Sequence, residues 1–210
     1  MAEESRSRKL ILSYFRYTLC PQIVDEKGMS KYHNGMRPQD VVVLVKLALS
    51  ERAWSAKGLA DSLGLSKSEV CDSLERSRLA GLLDDSKRLV KRQRLVELLK
   101  FGVGYVFPAT LNEGQLKGLP TALSAKPLAD SIQTDLVFVW PDDAGEISGV
   151  GVSPLYKMVP FAASQDEQLH GTLALIDTLR MEGSRIRERN LAKDLLDEVI
   201  LNRYVLPAPQ

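Results

Sequence analysis

Leu59-Ala60-Asp61-Ser62-Leu63-Gly64-Leu65-Ser66-Lys67-Ser68-Glu69-Val70 is the stretch on which the fold turns. Leu59, Ala60 and Leu63 share one face of a short helix over roughly Ser55 to Leu63, with Ser55 as N-cap and Gly64 as the stop. Ser66-Lys67-Ser68-Glu69 has the spacing of a capping box, in which the Ser66 hydroxyl accepts from the Glu69 amide and the Glu69 carboxylate returns to the Ser66 amide. A further helix therefore starts at Lys67, with Val70, Leu74 and Ser77 on its inner face. Gly81 suits the left-handed position that ends it.

On the upstream side, Pro38 at a first helical turn precedes Val41, Val42, Leu44, Val45, Leu47, Ala48 and Leu49, an apolar helix of about 12 residues that belongs in a core. On the downstream side, Leu82-Leu83 and Leu89-Val90 flank the polar run Asp84 to Arg88, the outline of a small β-hairpin. Lys87, Arg88, Lys91, Arg92 and Arg94 crowd this hairpin and the residues just after it. Arg92 to Phe101 then returns to helix, with Leu95, Leu98 and Leu99 apolar, and closes at Gly102.

In this order of elements, residues 38–90 resemble the winged helix-turn-helix domain of bacterial transcription regulators of the MarR-like kind. The resemblance implies that the helix opening at Ser66 is a recognition helix whose front end enters the major groove. On a wheel with Val70 and Leu74 inward, Ser68, Asp72, Glu75 and Arg76 point outward, with Lys67 and Cys71 at the margins. Ser66, Lys67, Ser68, Asp72 and Arg76 are thus the expected DNA contacts of this helix, and Lys87, Arg88, Lys91 and Arg92 those of the wing, which would neutralise phosphates. Glu69, Asp72 and Glu75 oppose a polyanion; Glu69 is accounted for by the cap, and a carboxylate can accept from a cytosine amino group.

The remainder is built differently. Residues 108–127 hold three prolines and two glycines and read as loop. Leu136 to Trp140 and Glu146 to Val152 flank Pro141 to Gly145 as a hairpin. Ser153-Pro154 opens a short helix towards Pro160, and Ser164-Gln165-Asp166-Glu167 is a second capping box before a helix with Leu169, Leu173, Ile176 and Leu179 on one side. A last helix, about Arg185 to Asn202, has an apolar face of Leu191, Leu195, Val199 and Ile200, and the chain should fray from Leu206. Arg180, Arg185, Arg187 and Arg189 surround the start of that helix, where its dipole disfavours cations. Glu182 and Glu188 offset them, or an acidic patch on a second protomer or a partner protein, or phosphate, does. Trp140 and Tyr156 read as core.

The chain has 210 residues and a formal charge of +1, so net charge gives no argument for nucleic-acid binding and any such argument is local. Two cysteines, Cys20 and Cys71, have no framework spacing, no signal segment opens the chain and no apolar run is long enough to span a membrane. The chain reads as cytoplasmic. Cys71 reads as a small half-buried filler. His33 and His170 lie in separate segments with no metal-ligand spacing, Gly102-Val103-Gly104 and Gly149-Val150-Gly151 lack the rest of a phosphate loop, and no catalytic group assembles. Neither an enzyme, a metal site nor a cofactor is expected.

The expected fold is mainly α with small β elements: an N-terminal extension over 1–35, a winged helix-turn-helix domain over 36–104, a linker or loop over 105–134, and an α+β domain over 135–210 for dimerisation, sensing or partner docking. Residues 1–35, with Leu10, Ile11, Tyr14, Phe15 and Leu19 amphipathic, are either dispensable for folding or a helix packed on the body or at a dimer contact. The expected function is sequence-specific binding of double-stranded DNA by a homodimeric transcriptional regulator. The alternative is a protein-interaction adaptor, antitoxin-like, with weak or autoregulatory DNA binding and a partner at the C-terminal domain.

Overall fold

The computed structural model describes residues 35–50 and 54–201; the expectations for residues 1–34 and for the chain end from Leu206 lie outside these. Helix α1, Pro38–Leu49, sits at the centre with Val41 to Val45 fully buried. Its all-round apolarity is explained by its neighbours, since it packs on helices from both halves of the chain. Helix α2, Ala56–Leu63, is capped by the Ser55 hydroxyl, which accepts from the Gly58 amide at 3.0 Å, and ends at left-handed Gly64 with φ 63°.

Helix α3, Lys67–Leu79, starts at Ser66 as expected and ends in a Schellman turn: the Gly81 amide donates to the Arg78 carbonyl and the Leu82 amide to the Ser77 carbonyl. The hairpin after it is minimal, a loop closed by a single antiparallel bridge between Leu83 and Val90. Helix α4, Arg92–Glu97, does not stop at Gly102. It continues through a π-helical turn, Leu98–Gly102, into α5, Val103–Val106, because Leu99 and Val103 carry the buried stripe onward.

The 105–134 stretch is not a linker: it holds strand β1, Leu111–Pro120, and 3-10 turns at Ala122–Ser124 and Leu128–Asp130. Strands β2, Phe138–Pro141, and β3, Ile147–Val152, form where expected but not as a hairpin. Both run antiparallel to β1, β2 beside Gly118 to Pro120 and β3 beside Leu111 to Gly118, and they pair parallel with each other at Phe138–Val150 and Val139–Gly151 to close a small barrel. Their connection therefore crosses β1 at Gly118. A Cβ on Gly118 would lie 1.9 Å from the Trp140 carbonyl oxygen and one on Gly145 would lie 2.4 Å from the Gly118 Cα, so backbone packs on backbone there.

Helix α6 is Val159–Ser164, later than the Ser153-Pro154 start expected, with Pro160 in its first turn. Helix α7, Glu167–Arg180, is capped by Asp166 rather than Ser164; the Asp166 carboxylate accepts from the Leu169 amide at 3.0 Å and pairs with Lys46 of α1 at 2.5 Å. Helix α8, Ile186–Leu201, buries Ala192, Leu196, Val199 and Ile200, while Leu191 and Leu195 sit only half-buried at the flank. One hydrophobic core runs from α1 to α8 across the expected boundary between 36–104 and 135–210.

Between α7 and the barrel runs a buried polar seam. Asp177 accepts from the Thr121 hydroxyl, the Trp140 indole and the Arg180 guanidinium, and Arg180 also donates to the carbonyls of Phe107 and Ser153. Burial pushes the Asp177 carboxyl up, opposed by Arg180 and its other two donors. Arg180 thus belongs to the interior rather than to the basic group at α8. The described chain is mainly helical with one small three-stranded sheet, and no described helix is long and apolar enough to cross a membrane.

Candidate nucleic-acid interface

Helix α3 is held by a turn that is itself clamped. The Tyr156 hydroxyl donates to the Leu63 carbonyl at 2.6 Å, and the position a Cβ would take on Gly64 lies 3.1 Å from Met158. This clamp comes from the loop before α6 and leaves the front of α3 open. Ser66, Lys67, Ser68, Cys71 and Asp72 are all exposed there, and the Ser66 hydroxyl accepts from the Glu69 amide at 3.1 Å. Cys71 is therefore not a half-buried filler but an exposed thiol on the outer face.

Two expectations for α3 fail for one physical reason. Glu69 does not return to the Ser66 amide, because Arg76, Gln39 and Arg37 claim its carboxylate, at 2.6, 3.1 and 3.5 Å. Arg76 does not point outward: it is buried, and its Nε and Nη2 donate to the two carboxylate oxygens of Asp40 at 2.8 and 2.7 Å. Asp40 is fully buried and also accepts from the Arg37 amide at 2.8 Å. Burial works to raise the Glu69 carboxyl, and the hydrogen bonds from Arg76 and Gln39 overcome it, so the group lies below the usual carboxylate range. Arg76 fastens α3 to α1 and is withdrawn from any DNA contact.

The bridged loop stands beside the outer face of α3. Lys87, in left-handed conformation with φ 60°, pairs with Glu75 at 2.7 Å, and Glu75 also takes Arg78 at 2.7 Å. Hydrogen bonds from Arg78 and Lys87 hold the Glu75 carboxyl down, to about 2. Asp84 ties the loop by accepting from the Ser86 hydroxyl and the Arg88 and Leu89 amides, which hold its carboxyl at about 2. Arg88 stacks over the Trp54 ring at 4.7 Å and donates to the Trp54 carbonyl at 3.2 Å. Lys91 is exposed. Arg92 is spent differently, donating to the Ile200 carbonyl at 2.6 Å and so tying α4 to the end of α8.

Of the nine residues expected to contact DNA, six are exposed, Ser66, Lys67, Ser68 and Asp72 on α3 and Arg88 and Lys91 around the loop, and half-buried Lys87 is tied to α3 through Glu75. Arg76 and Arg92 do not join them. Trp54 is an addition that the sequence does not announce, because an aromatic next to a helix cap and some thirty residues before a basic run gives no local signal. Comparison of the chain with protein-family models, curated proteins and solved structures finds no match.

Proposed function

We propose that the chain binds double-stranded DNA as a winged helix-turn-helix transcriptional regulator, with α3 in the major groove and the Asp84–Leu89 loop as wing. The observation that carries this reading is the unobstructed front of α3: three hydroxyl- or ammonium-bearing residues, Ser66, Lys67 and Ser68, stand exposed at the helix start, and the loop that bears Lys87 and Arg88 pairs with Glu75 and Arg78 in the second half of the same helix. Unsatisfied amides in the first turn favour a phosphate, and the loop cations supply register along the backbone. The expected dimer would present two such surfaces to a symmetric operator.

A second reading is favoured by the charges on the same face. Arg76 is withdrawn, Lys87 is answered by Glu75, and Asp72 is exposed, so carboxylates offset part of the positive charge on this face. A protein-interaction adaptor with weak DNA binding has these properties. Fluorescence anisotropy with a duplex from upstream of the chain's own reading frame separates the two. A regulator prefers that duplex to a scrambled one at physiological salt, and Lys87→Ala/Arg88→Ala/Lys91→Ala lowers both affinity and the salt slope, by about 0.9 for each phosphate no longer neutralised. Equal, weak binding of both duplexes rejects the regulator reading.

A further inference from the structure

The helical run from Arg92 to Val106 has two faces. Leu95, Leu99 and Val103 are buried on one; on the other Phe101 and Tyr105 stand one turn apart, 62% and 85% exposed. Val106 beside them is 57% exposed. The two rings edge a cavity of about 450 Å³ between this run, the end of α7 and the start of α8, lined also by Gly104, Met181, Arg189, Lys193 and one exposed carboxylate, Glu182. Ile186, 79% exposed, precedes Arg189 by three residues and so shares its face of α8.

Single exposed apolar residues are ordinary, but adjacent rings at the mouth of a concave site mark a docking surface, and aromatic and arginine side chains are the usual anchors of one. The charge around the rings selects the occupant. Lys193 Nζ lies 5.0 Å and Lys100 Nζ 5.9 Å from the centre of the Phe101 ring. Lys100 is paired with Asp197, but Arg189 and Lys193 have no acidic partner among the described residues. A second copy of the chain related by a two-fold axis would bring these cations against their own kind. A single-stranded nucleic acid needs ring faces for stacking, and with ammonium groups over Phe101 the surface offers it Tyr105 alone, so oligo-dT serves as a competitor in the binding experiment.

We propose that this surface docks a protein partner whose binding segment joins carboxylates, for Arg189 and Lys193, to an apolar side chain that enters the cavity between Phe101 and α8. The inference rests on this surface alone and stands whether or not α3 reads DNA.

The probe is a fluorescein-labelled amphipathic peptide with Leu and Trp on one face and Glu on the other, titrated with the full chain beside a twin in which Lys replaces every Glu. The Glu peptide is expected to bind saturably, and the Lys twin not to. Phe101→Ala/Tyr105→Ala and, separately, Arg189→Glu/Lys193→Glu should each weaken binding about tenfold or more while the thermal midpoint stays in place. Equal binding of the two peptides, affinity indifferent to both variants, or displacement of the Glu peptide by oligo-dT overturns the proposal. So does absence of saturable binding, the result expected if the chain's own first 34 residues or a second copy covers the rings; sedimentation of Tyr105→Ser against wild type then identifies the second copy.

Discussion

Arg76 meets Asp40 through two hydrogen bonds, and both carboxylate oxygens of Asp40 are spent on Arg76 and the Arg37 amide. The pair joins the last turn of α3 to the first turn of α1, so α3 is pinned to the centre of the core. Arg76 keeps Glu69 when Asp40 is removed, whereas removal of Arg76 leaves Asp40 an uncompensated buried charge, at a cost of about 3–5 kcal/mol. Arg76→Met should lose that much in urea denaturation, and Asp40→Leu/Arg76→Met should recover most of it. Arg76→Met alone, measured on the folded fraction, should leave DNA affinity within about twofold of wild type, since the guanidinium is turned inward to Asp40 and Glu69.

Glu75 restrains Lys87 of the Asp84–Leu89 loop. With its carboxyl held to about 2 by Arg78 and Lys87, it is fully ionised at neutral pH. The shift is a depression, so the pairing contributes at pH values above the ordinary carboxylate range and disappears only as pH falls towards about 2. Glu75→Gln removes a charge that would face phosphate and releases Lys87 to meet one. Its expected signature in anisotropy is a several-fold gain in DNA affinity and a salt slope steeper by about 0.9, one added phosphate contact.

Gly118 is fixed by the strand crossing. Its missing Cβ makes room for the Trp140 carbonyl oxygen at 1.9 Å, and Gly145 closes on its backbone from above. Rotamer changes cannot relieve a clash between Cβ and backbone, so Gly118→Ala should cost at least about 3 kcal/mol by chemical denaturation. Gly114, where a Cβ would meet nothing within 4 Å, has φ 85°; Gly114→Ala costs only the backbone strain, about 1 kcal/mol. Equal losses at the two positions would contradict the crossing.

The features legible in the sequence are local ones. Pro38, Ser55, Gly64, Ser66 and Gly81 mark α1 to α3 because each acts within a turn of the chain, and all five stand where that reading places them. Arg76 escapes it because its partner lies 36 residues upstream, and a wheel drawn from Val70 and Leu74 carries no information about a distant carboxylate. Strand β1 gives no signal because Leu111 to Lys117 are largely exposed and show no apolar alternation. Its antiparallel pairing with both β2 and β3, which then run parallel to each other, replaces the hairpin that their closeness in sequence suggests. Phe101 and Tyr105, in contrast, are within reach of sequence reasoning: they lie opposite Leu95, Leu99 and Val103 on any helical wheel.

His170 sits in the polar seam with Nε2 donating to the Pro120 carbonyl at 2.7 Å and its ring 5.4 Å from that of Trp140. Burial pushes the imidazole below its ordinary value of 6.5, and the carbonyl pulls only partly back. The folded chain therefore holds a neutral ring that the unfolded chain protonates more readily. A depressed histidine contributes stability above the unfolded pKa and gives it up as pH falls below 6.5, so the unfolded state takes up the proton first. Unfolding free energy of the wild type should decline on acidification from neutrality with a slope approaching about 1.4 kcal/mol per pH unit for this one proton. His170→Gln keeps a donor for the Pro120 carbonyl without a titrating group. The difference between the two pH profiles isolates His170 from His33 and the carboxylates: it should be flat above neutrality and close steadily below it. Parallel profiles through that range would mean that the ring accepts its proton in place.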